Sequence, residues 1–353
     1  MVSTAPFTWQ DGERTLRFGR GAIADAPALL GDDYVLLTTD RGRDAAPAVV
    51  SGAAHVLDVR PGLVDEIAAE LLADGLPEGD GLLVALGGGR VIDTAKALAA
   101  ATGRHAGAIP TTLSAAEMTK VHRLPAGVSG VSGVRPRVVI NDPALSASQP
   151  DAELAASAAN SLAHAVEAPV TTLASPVPTL AALEAVRLTA AAYRTGSADD
   201  SSGGDQAAHL SSTPGGAPVE PDRDALALAA FLSGYGIDAA WYGLSHVCSQ
   251  TLVRVGGAAH GPANAVVLPH TIAALRRRFP DAFAGLDDAC GEAVDALAAR
   301  LAARAGAARI RDLGVDEEAL EKCADAAAGR AELQHTPPAA DRDELLAIYR
   351  AAW

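Results

Sequence analysis

The amino-acid sequence predicts an N-terminal α/β domain followed by an all-α domain. Three observations lead to this fold class. Short apolar runs alternate with helical patterns over about the first 145 residues, no convincing strand pattern follows Pro150, and 353 residues are enough for two domains. We therefore expect one domain at residues 1–150 and a second at residues 151–353.

Five short apolar runs are the predicted strands of the first domain. They are YVLLTTD (34–40), HVLDVRP (55–61), GLLVALGGG (81–89), HAGAIPTT (105–112) and RPRVVINDP (135–143). Between them, LVDEIAAELLADG (63–75) and VIDTAKALAAATG (91–103) repeat apolar side chains at three- and four-residue steps, which is typical of helices. Strands that alternate with helices indicate a mostly parallel sheet covered on both faces.

The second half of the chain carries helical patterns throughout. The clearest are at 151–174, 178–194 and 223–253. Aromatic residues make up only 4% of the chain, so its core must consist mainly of Ala, Val and Leu, which favours closely packed helices. Residues 195–222 are rich in Ser, Gly, Pro and Asp and predict a flexible loop between two helices.

Charge and composition exclude several classes of protein. A net charge of −15 without a long basic stripe argues against binding to a nucleic-acid backbone. The three cysteines form no CxxC pair, so they predict neither a disulfide framework nor a cysteine zinc site. No apolar leader segment and no run of about 18 apolar residues occurs, so we expect a soluble cytoplasmic protein without a membrane span.

A glycine triplet ends the most apolar of the predicted strands. Gly87, Gly88 and Gly89 lie between this strand and the helical pattern that follows. Glycines at such a turn allow close backbone approach, and the free N–H groups of a helix N-terminus attract a pyrophosphate. The spacing is not GxGxxG, and a turn that merely needs positive φ remains an alternative interpretation.

Side chains at two other strand ends favour the nucleotide interpretation. Asp40 ends the first predicted strand, where a carboxylate can accept hydrogen bonds from a ribose diol and disfavour a 2′-phosphate. Thr111 and Thr112 follow another strand and offer hydroxyl groups at the same edge of the sheet. Arg41 and Arg43 could neutralise a phosphate, so NAD is favoured while NADP stays open.

Polar residues in the apolar helical half are the candidates for chemistry. Asn160 and His164 lie one helical turn apart in ANSLAHAVEA, and His246, His260 and His270 follow downstream. A single histidine in an apolar helix is most often a satisfied core residue. Several imidazoles from separate helices can instead converge and bind zinc, iron or a related divalent ion.

Five motifs, in this order and spacing, resemble the iron-containing alcohol dehydrogenase superfamily. They are GGGRVIDTAKA, IPTTLSAAEMT, VVINDPALSASQP, NSLAHAVEA and HGPANAVVLPH. The combination of IPTT with AEMT, and the asparagine of the helix motif, look most like the maleylacetate reductase branch. The resemblance runs from about residue 18 to the C-terminus and weakens after residue 280.

The resemblance implies a dehydroquinate synthase-like fold, with hydride transfer in a cleft between a Rossmann-like dinucleotide-binding domain and a helical domain. Many members of the superfamily bind a divalent metal through an aspartate and three histidines. At the matching positions stand Asn160, His164, His246 and His260, which are therefore candidate catalytic residues and candidate ligands for Fe or Zn.

Two further nucleotide-binding candidates lie within the matching motifs. They are Asp93 and Leu113.

The chain departs from the superfamily pattern where substrate is expected. Asn160 is neutral, so a divalent ion loses an anionic ligand. Gln250, a candidate catalytic residue, stands where a histidine usually lies near the nicotinamide, and an amide cannot take up a proton at neutral pH. A lysine common in the superfamily is missing from the Gly- and Ser-rich segment 124–136.

These features predict an NAD(P)-dependent oxidoreductase that interconverts an alcohol and a carbonyl on a small hydroxy or oxo acid, as in maleylacetate reduction. One alternative is a biosynthetic tailoring dehydrogenase that oxidises a β-hydroxy acid, including one at a peptide C-terminus, with oxidative decarboxylation. Another is a non-redox lyase related to dehydroquinate synthase. The resemblance also implies a homodimer.

Overall fold

The computed structural model describes residues 4–194 and 220–353 of the chain. The loop expected at 195–222 lies outside the described residues except for its last three positions. The N-terminal part of the chain forms a sheet and the helices that cover it, and the C-terminal part forms a bundle of helices. None of the described helices is both long and apolar enough to cross a lipid bilayer.

A seven-stranded sheet forms the N-terminal part, with strand order β1-β2-β7-β6-β5-β3-β4. The strands are β1 (Phe7–Asp11), β2 (Arg14–Phe18), β3 (Val35–Thr38), β4 (His55–Asp58), β5 (Leu83–Gly87), β6 (Ala106–Pro110) and β7 (Val138–Asn141). Only β1 and β2 pair antiparallel, and every other neighbouring pair is parallel. Each of the five predicted runs contains one strand, so the predicted parallel sheet is confirmed.

Five helices accompany the sheet. They are α1 (Ala26–Leu30), α2 (Asp40–Ala45), α3 (Pro47–Gly52), α4 (Val64–Asp74) and α5 (Gly89–Thr102). The last two are the helices that the sequence predicts, and helices on both faces explain why β3, β5 and β6 are buried at every residue.

Among the residues that the structure describes beyond position 150 there are nine α-helices and no strand. They are α6 (Asp151–Glu167), α7 (Pro176–Ala192), α8 (Arg223–Ala240), α9 (Leu244–Arg254), α10 (His260–Arg278), α11 (Pro280–Cys290), α12 (Val294–Arg304), α13 (Glu317–Ala328) and α14 (Arg342–Ala352). The helical pattern at 223–253 is in fact two helices, because Trp241 has a φ of +61° and breaks the chain between α8 and α9.

The β1–β2 hairpin was not predicted, although apolar and polar residues alternate in FTWQD and RTLRF as they do in half-buried strands. Its apolar residues join the core of the helical part. Phe7 stacks on Phe18 with ring centroids 5.1 Å apart, and both rings contact the edge of Phe231 on α8. This packing joins one edge of the sheet to the helices, so one apolar cluster spans both parts of the chain, beside two clusters that belong to the sheet part alone.

Candidate active site

The glycine triplet lies where β5 passes into α5. A Cβ atom on Gly87 would come within 2.7 Å of Val91, and Cβ atoms on Gly88 and Gly89 would come within 3.1 Å of Thr112 and Ser114. None of the three glycines has positive φ. Close packing therefore requires glycine here, and the alternative of a turn that needs positive φ is wrong.

Asp40 lies at the same edge of the sheet as the triplet, because β3 is the parallel neighbour of β5 and Thr38 pairs with Leu86. It is the first residue of α2, and its exposed carboxylate has no partner among the described residues. Arg41 is 3.2 Å from Glu153, and Arg43 is 2.5 Å from Asp58. Both arginines thus already have carboxylate partners.

The segment after β6 brings Thr111 and Thr112 to the triplet. The backbone N–H of Thr111 donates to the carbonyl of Gly87 at 3.0 Å, and the side chain of Thr112 packs against Gly88. Leu113, also a nucleotide-binding candidate, is 3% exposed and belongs to the core shared with the helices. Its side chain therefore has a packing role in this structure.

Asp93 lies on the first turns of α5, and its negative charge counteracts the lowering of the pKa of His260. Its Oδ1 accepts a hydrogen bond at 2.8 Å from Nζ of Lys96, a lysine with no exposed surface. The ammonium group also donates to the carbonyls of Ala116 and Val121 at 3.0 and 2.8 Å. Lys96 thus ties α5 to the segment after β6, a role that the sequence analysis missed.

His164 on α6 and His246 on α9 lie face to face. Their ring centroids are 4.8 Å apart and their planes differ by 10°. Burial lowers the pKa of His164 well below 6.5, and the neighbouring His246 and His260 lower it further. His164 Nδ1 and His246 Nε2 are buried without a hydrogen-bond partner among the described residues. Unpartnered nitrogens of this kind indicate a place for a ligand atom or water.

Glu167 holds His246 in one orientation. Its Oε2 lies 2.5 Å from His246 Nδ1, and its Oε1 accepts backbone N–H groups of Ser245 and Gly243 at 2.7 and 3.2 Å. Because a carboxylate can only accept, Nδ1 carries the proton and Nε2 is left with its lone pair free. The sequence analysis missed Glu167, although it follows Asn160 and His164 at i+7 and i+3 on one helix face.

Asn160 joins α6 to the segment after β6, because its Nδ2 donates to the carbonyl of Ser114 at 3.4 Å. It is 7% exposed. The neighbouring Ala115 has a φ of +59° and packs against Gly234 of α8, where a Cβ atom would lie 2.7 Å from the Cβ of Ala115. Asn160 thus lies at the contact between the sheet part and the helices.

His260 is the first residue of α10 and is more exposed than the other two histidines. Surrounding protein atoms and the nearby His246 lower its pKa. Its Nε2 is 3.3 Å from Nδ2 of Asn264, one turn later on the same helix.

Gln250 belongs to a polar network rather than to the histidine pair. Its Oε1 accepts from Nη2 of Arg330 at 3.0 Å. Arg330 pairs with Glu332 at 2.8 Å, and Glu332 also accepts from the hydroxyl of Tyr242. The Tyr242 ring centroid is 5.6 Å from that of His246, so this network adjoins the histidines.

The predicted metal ligands are not assembled into a complete site. Among residues 4–194 and 220–353, no three His, Cys, Asp or Glu side chains are grouped so that they could hold a metal ion. The free nitrogens of His164 and His246 are suitable donors, but Asn160 is neutral and the carboxylate of Glu167 is occupied by His246. The four-residue metal site stays a prediction that this arrangement does not support.

Two family profiles cover most of the chain. Residues 18–121 match "Iron-containing alcohol dehydrogenase", and residues 154–353 match "Fe-containing alcohol dehydrogenase family, C-terminal".

Individual relatives agree with these matches. Maleylacetate reductase of Pseudomonas aeruginosa is 32% identical over 95% of this chain and 94% of its own length. 1,3-propanediol dehydrogenase of Klebsiella pneumoniae is 32% identical over 62% of this chain and 55% of its own length. The crystal structure of maleylacetate reductase from Agrobacterium tumefaciens superposes with a TM-score of 0.77 at 26% identity, over 99% of this chain and 98% of that one.

Proposed function

Because the chain belongs to the iron-containing alcohol dehydrogenase family and is an alcohol dehydrogenase or reductase, we propose that it interconverts a small hydroxy acid and its oxo acid with NAD. One observation carries the proposal. His164 and His246, the latter oriented by Glu167, offer two free imidazole nitrogens, and the nearby His260 interacts with the charge of Asp93, on the first turns of the helix that starts at the glycine triplet.

The edge of the sheet with the glycine triplet and Asp40 is the proposed nucleotide site. Backbone N–H groups at the start of α5 would hold a pyrophosphate, and the free carboxylate of Asp40 would accept hydrogen bonds from a ribose diol. Since Arg41 and Arg43 are engaged by Glu153 and Asp58, NAD is favoured over NADP. A nicotinamide ring bound here supplies or accepts the hydride.

The histidines handle the proton that accompanies the hydride. In oxidation, His246 Nε2 accepts the hydroxyl proton of the substrate, since Nδ1 is already protonated and held by Glu167. The lowered pKa keeps His164 neutral, so it polarises the same oxygen as a hydrogen-bonding group rather than as a cation. In reduction, His246 Nε2 returns the proton to the developing alkoxide, while His164 polarises the same oxygen.

Family membership implies a divalent metal such as iron. The donor set described above does not fit such an ion, because it offers two free imidazole nitrogens and no free carboxylate. No step is therefore assigned to a metal, and Asn160, His164, His246 and His260 stay the predicted ligands.

Similarity along almost the whole length of a maleylacetate reductase favours a reductase of oxo acids as the first candidate. The second candidate is a tailoring dehydrogenase that oxidises a β-hydroxy acid, with loss of carbon dioxide from the resulting β-keto acid. The bond between Gln250 and Arg330 favours it, because this position cannot relay a proton and the substrate pocket must differ from that of better-known members. A homodimer and a cytoplasmic location stay predictions.

The test follows NADH absorbance with a panel of hydroxy and oxo acids, together with elemental analysis of the purified protein. With wild type and an acid substrate, we expect NADH to change in proportion to the substrate converted. We expect the His164→Ala variant to keep its NAD affinity but to lose turnover. His105→Ala, which alters an exposed histidine hydrogen-bonded to Arg137, is the matched control. Phosphate release without any change in NADH would instead identify a non-redox lyase.

A further inference from the structure

Three arginines from separate segments meet near the network of Gln250. Arg254 is the last residue of α9, Arg123 comes from the segment between β6 and β7, and Arg330 follows α13. Loss of hydration lowers the pKa of Arg254, and the positive charges of Arg123 and Arg330 lower it further. We call these three residues the arginine cluster.

Two members of the arginine cluster already have carboxylate partners. Arg123 is 2.5 Å from Asp65, and Arg330 is 2.8 Å from Glu332. Arg254 has neither a hydrogen bond nor an ion pair with any residue that the structure describes, and its side chain is exposed. Two like charges beside an unpaired guanidinium are unfavourable, and a bound anion would relieve the repulsion.

Arg254 shares a face of α9 with the histidine of the proposed reaction. His246, Gln250 and Arg254 follow one another at four-residue steps, so the Cα atom of Arg254 lies about 12 Å further along the helix axis than that of His246, a gap that the long arginine side chain can shorten by leaning toward the start of the helix. Tyr242, whose charge state also affects the pKa of Arg254, stands beside His246. A molecule that reaches from His246 along α9 would therefore meet Arg254.

We propose that Arg254 binds a carboxylate of the substrate while the carbinol or carbonyl group lies at His246. Guanidinium matches a carboxylate through two parallel N–H···O bonds, and the neighbouring cations offset the repulsion that a chain of net charge −15 exerts on an acid. Arg254 thereby selects acids over neutral alcohols. The inference rests on the proposed function, because it assigns the substrate of that same site.

The experiment compares wild type, Arg254→Met and Arg254→Lys on the best hydroxy acid of the panel and on its methyl ester. We expect Arg254→Met to lose about 10- to 100-fold in kcat/KM on the acid and less than about threefold on the ester. Arg254→Lys recovers part of the loss, since it keeps the charge but not the bidentate geometry. Arg277→Met, which alters an exposed arginine at the far end of α10, leaves both values unchanged.

A binding measurement separates this inference from the proposed function. Succinate is titrated into the NAD-loaded protein by calorimetry, which needs no turnover, and we expect about tenfold weaker binding to Arg254→Met than to wild type. NAD and NADP affinities stay the same in both proteins, because the anion is not a nucleotide phosphate. Equal losses on acid and ester, or unchanged succinate affinity, would overturn the role of Arg254. Absence of NADH turnover with every substrate would overturn the proposed reaction alone.

Discussion

Glu167 shows how one buried carboxylate can fix a reacting group. It has no exposed surface, it accepts two backbone N–H groups at the start of α9, and it binds His246 through its other oxygen. The N-terminal end of a helix stabilises negative charge, so the start of α9 favours a carboxylate at this position. It therefore acts as a positioning residue for the imidazole.

Replacing Glu167 with Gln should lower kcat/KM by about 10- to 100-fold, because the amide no longer enforces one tautomer of His246. Steady-state rates measured from pH 5 to pH 9 check this, and we also expect the shape of the pH profile to change. Asp151→Asn, an exposed position on the same helix that pairs with Arg304, is the control. A Glu167→Gln enzyme with the wild-type rate and pH profile would contradict the assignment.

Glu117 is a second buried carboxylate, and it lacks such support. Burial raises its pKa to about 7, although Lys96 and Arg14 oppose the shift, and its Oε2 has no partner among the described residues. The folded chain thus keeps a proton that the unfolded chain releases above its ordinary pKa of 4.5. The contribution of Glu117 to stability is therefore full below about pH 4.5 and is lost as the pH rises through 7.

Glu117→Gln should remove this loss, because an amide does not ionise. We expect the variant to be more stable than wild type at pH 8, by about 1–3 kcal/mol, and close to wild type at pH 5. Urea denaturation at the two pH values measures the difference. The same difference at both pH values would show that Glu117 does not titrate in this range.

At the scale of elements, the segment between β6 and β7 holds the sheet and the helices together. Lys96 binds it from α5, Asn160 binds it from α6, and Gly234 lets it approach the backbone of α8. The sequence motif IPTTLSAAEMT predicted that this segment contains nucleotide-binding residues. Its partners on three helices could not be predicted, since they come from contacts distant in sequence.

Gly234→Ala should destabilise the protein by about 1–3 kcal/mol, because the new Cβ would lie 2.7 Å from Ala115 and 2.8 Å from Met118. Gly285→Ala, in α11, has open space around it and should instead stabilise by up to about 1 kcal/mol. Thermal unfolding of both variants measures the contrast. Two variants with equal midpoints would mean that the contact at Gly234 is looser than the structure shows.

At the scale of the whole molecule, the proposed nucleotide site lies at an edge of the sheet, and the histidine pair belongs to the helices.

Because a ligand that binds only the folded state adds to its stability, NAD at 100 times its Kd should stabilise the chain by about 2.7 kcal/mol. We expect Asp40→Ser to reduce the rise in Tm caused by NAD and to leave the smaller NADP effect unchanged or larger. Thermal shift assays with both nucleotides check this, and equal shifts for wild type would contradict the preference for NAD.

The sequence by itself determined the strands β3 to β7, the parallel sheet that they form, the family and the position of the glycine triplet. Periodicity and local composition encode these features, because each depends on residues close together in the chain. Only the tertiary structure decided that His164 stacks on His246, that Glu167 orients this pair and that Arg254 is left without a partner. These relations join residues on different helices or several turns apart, and their geometry arises only when apolar packing fixes the helices against one another.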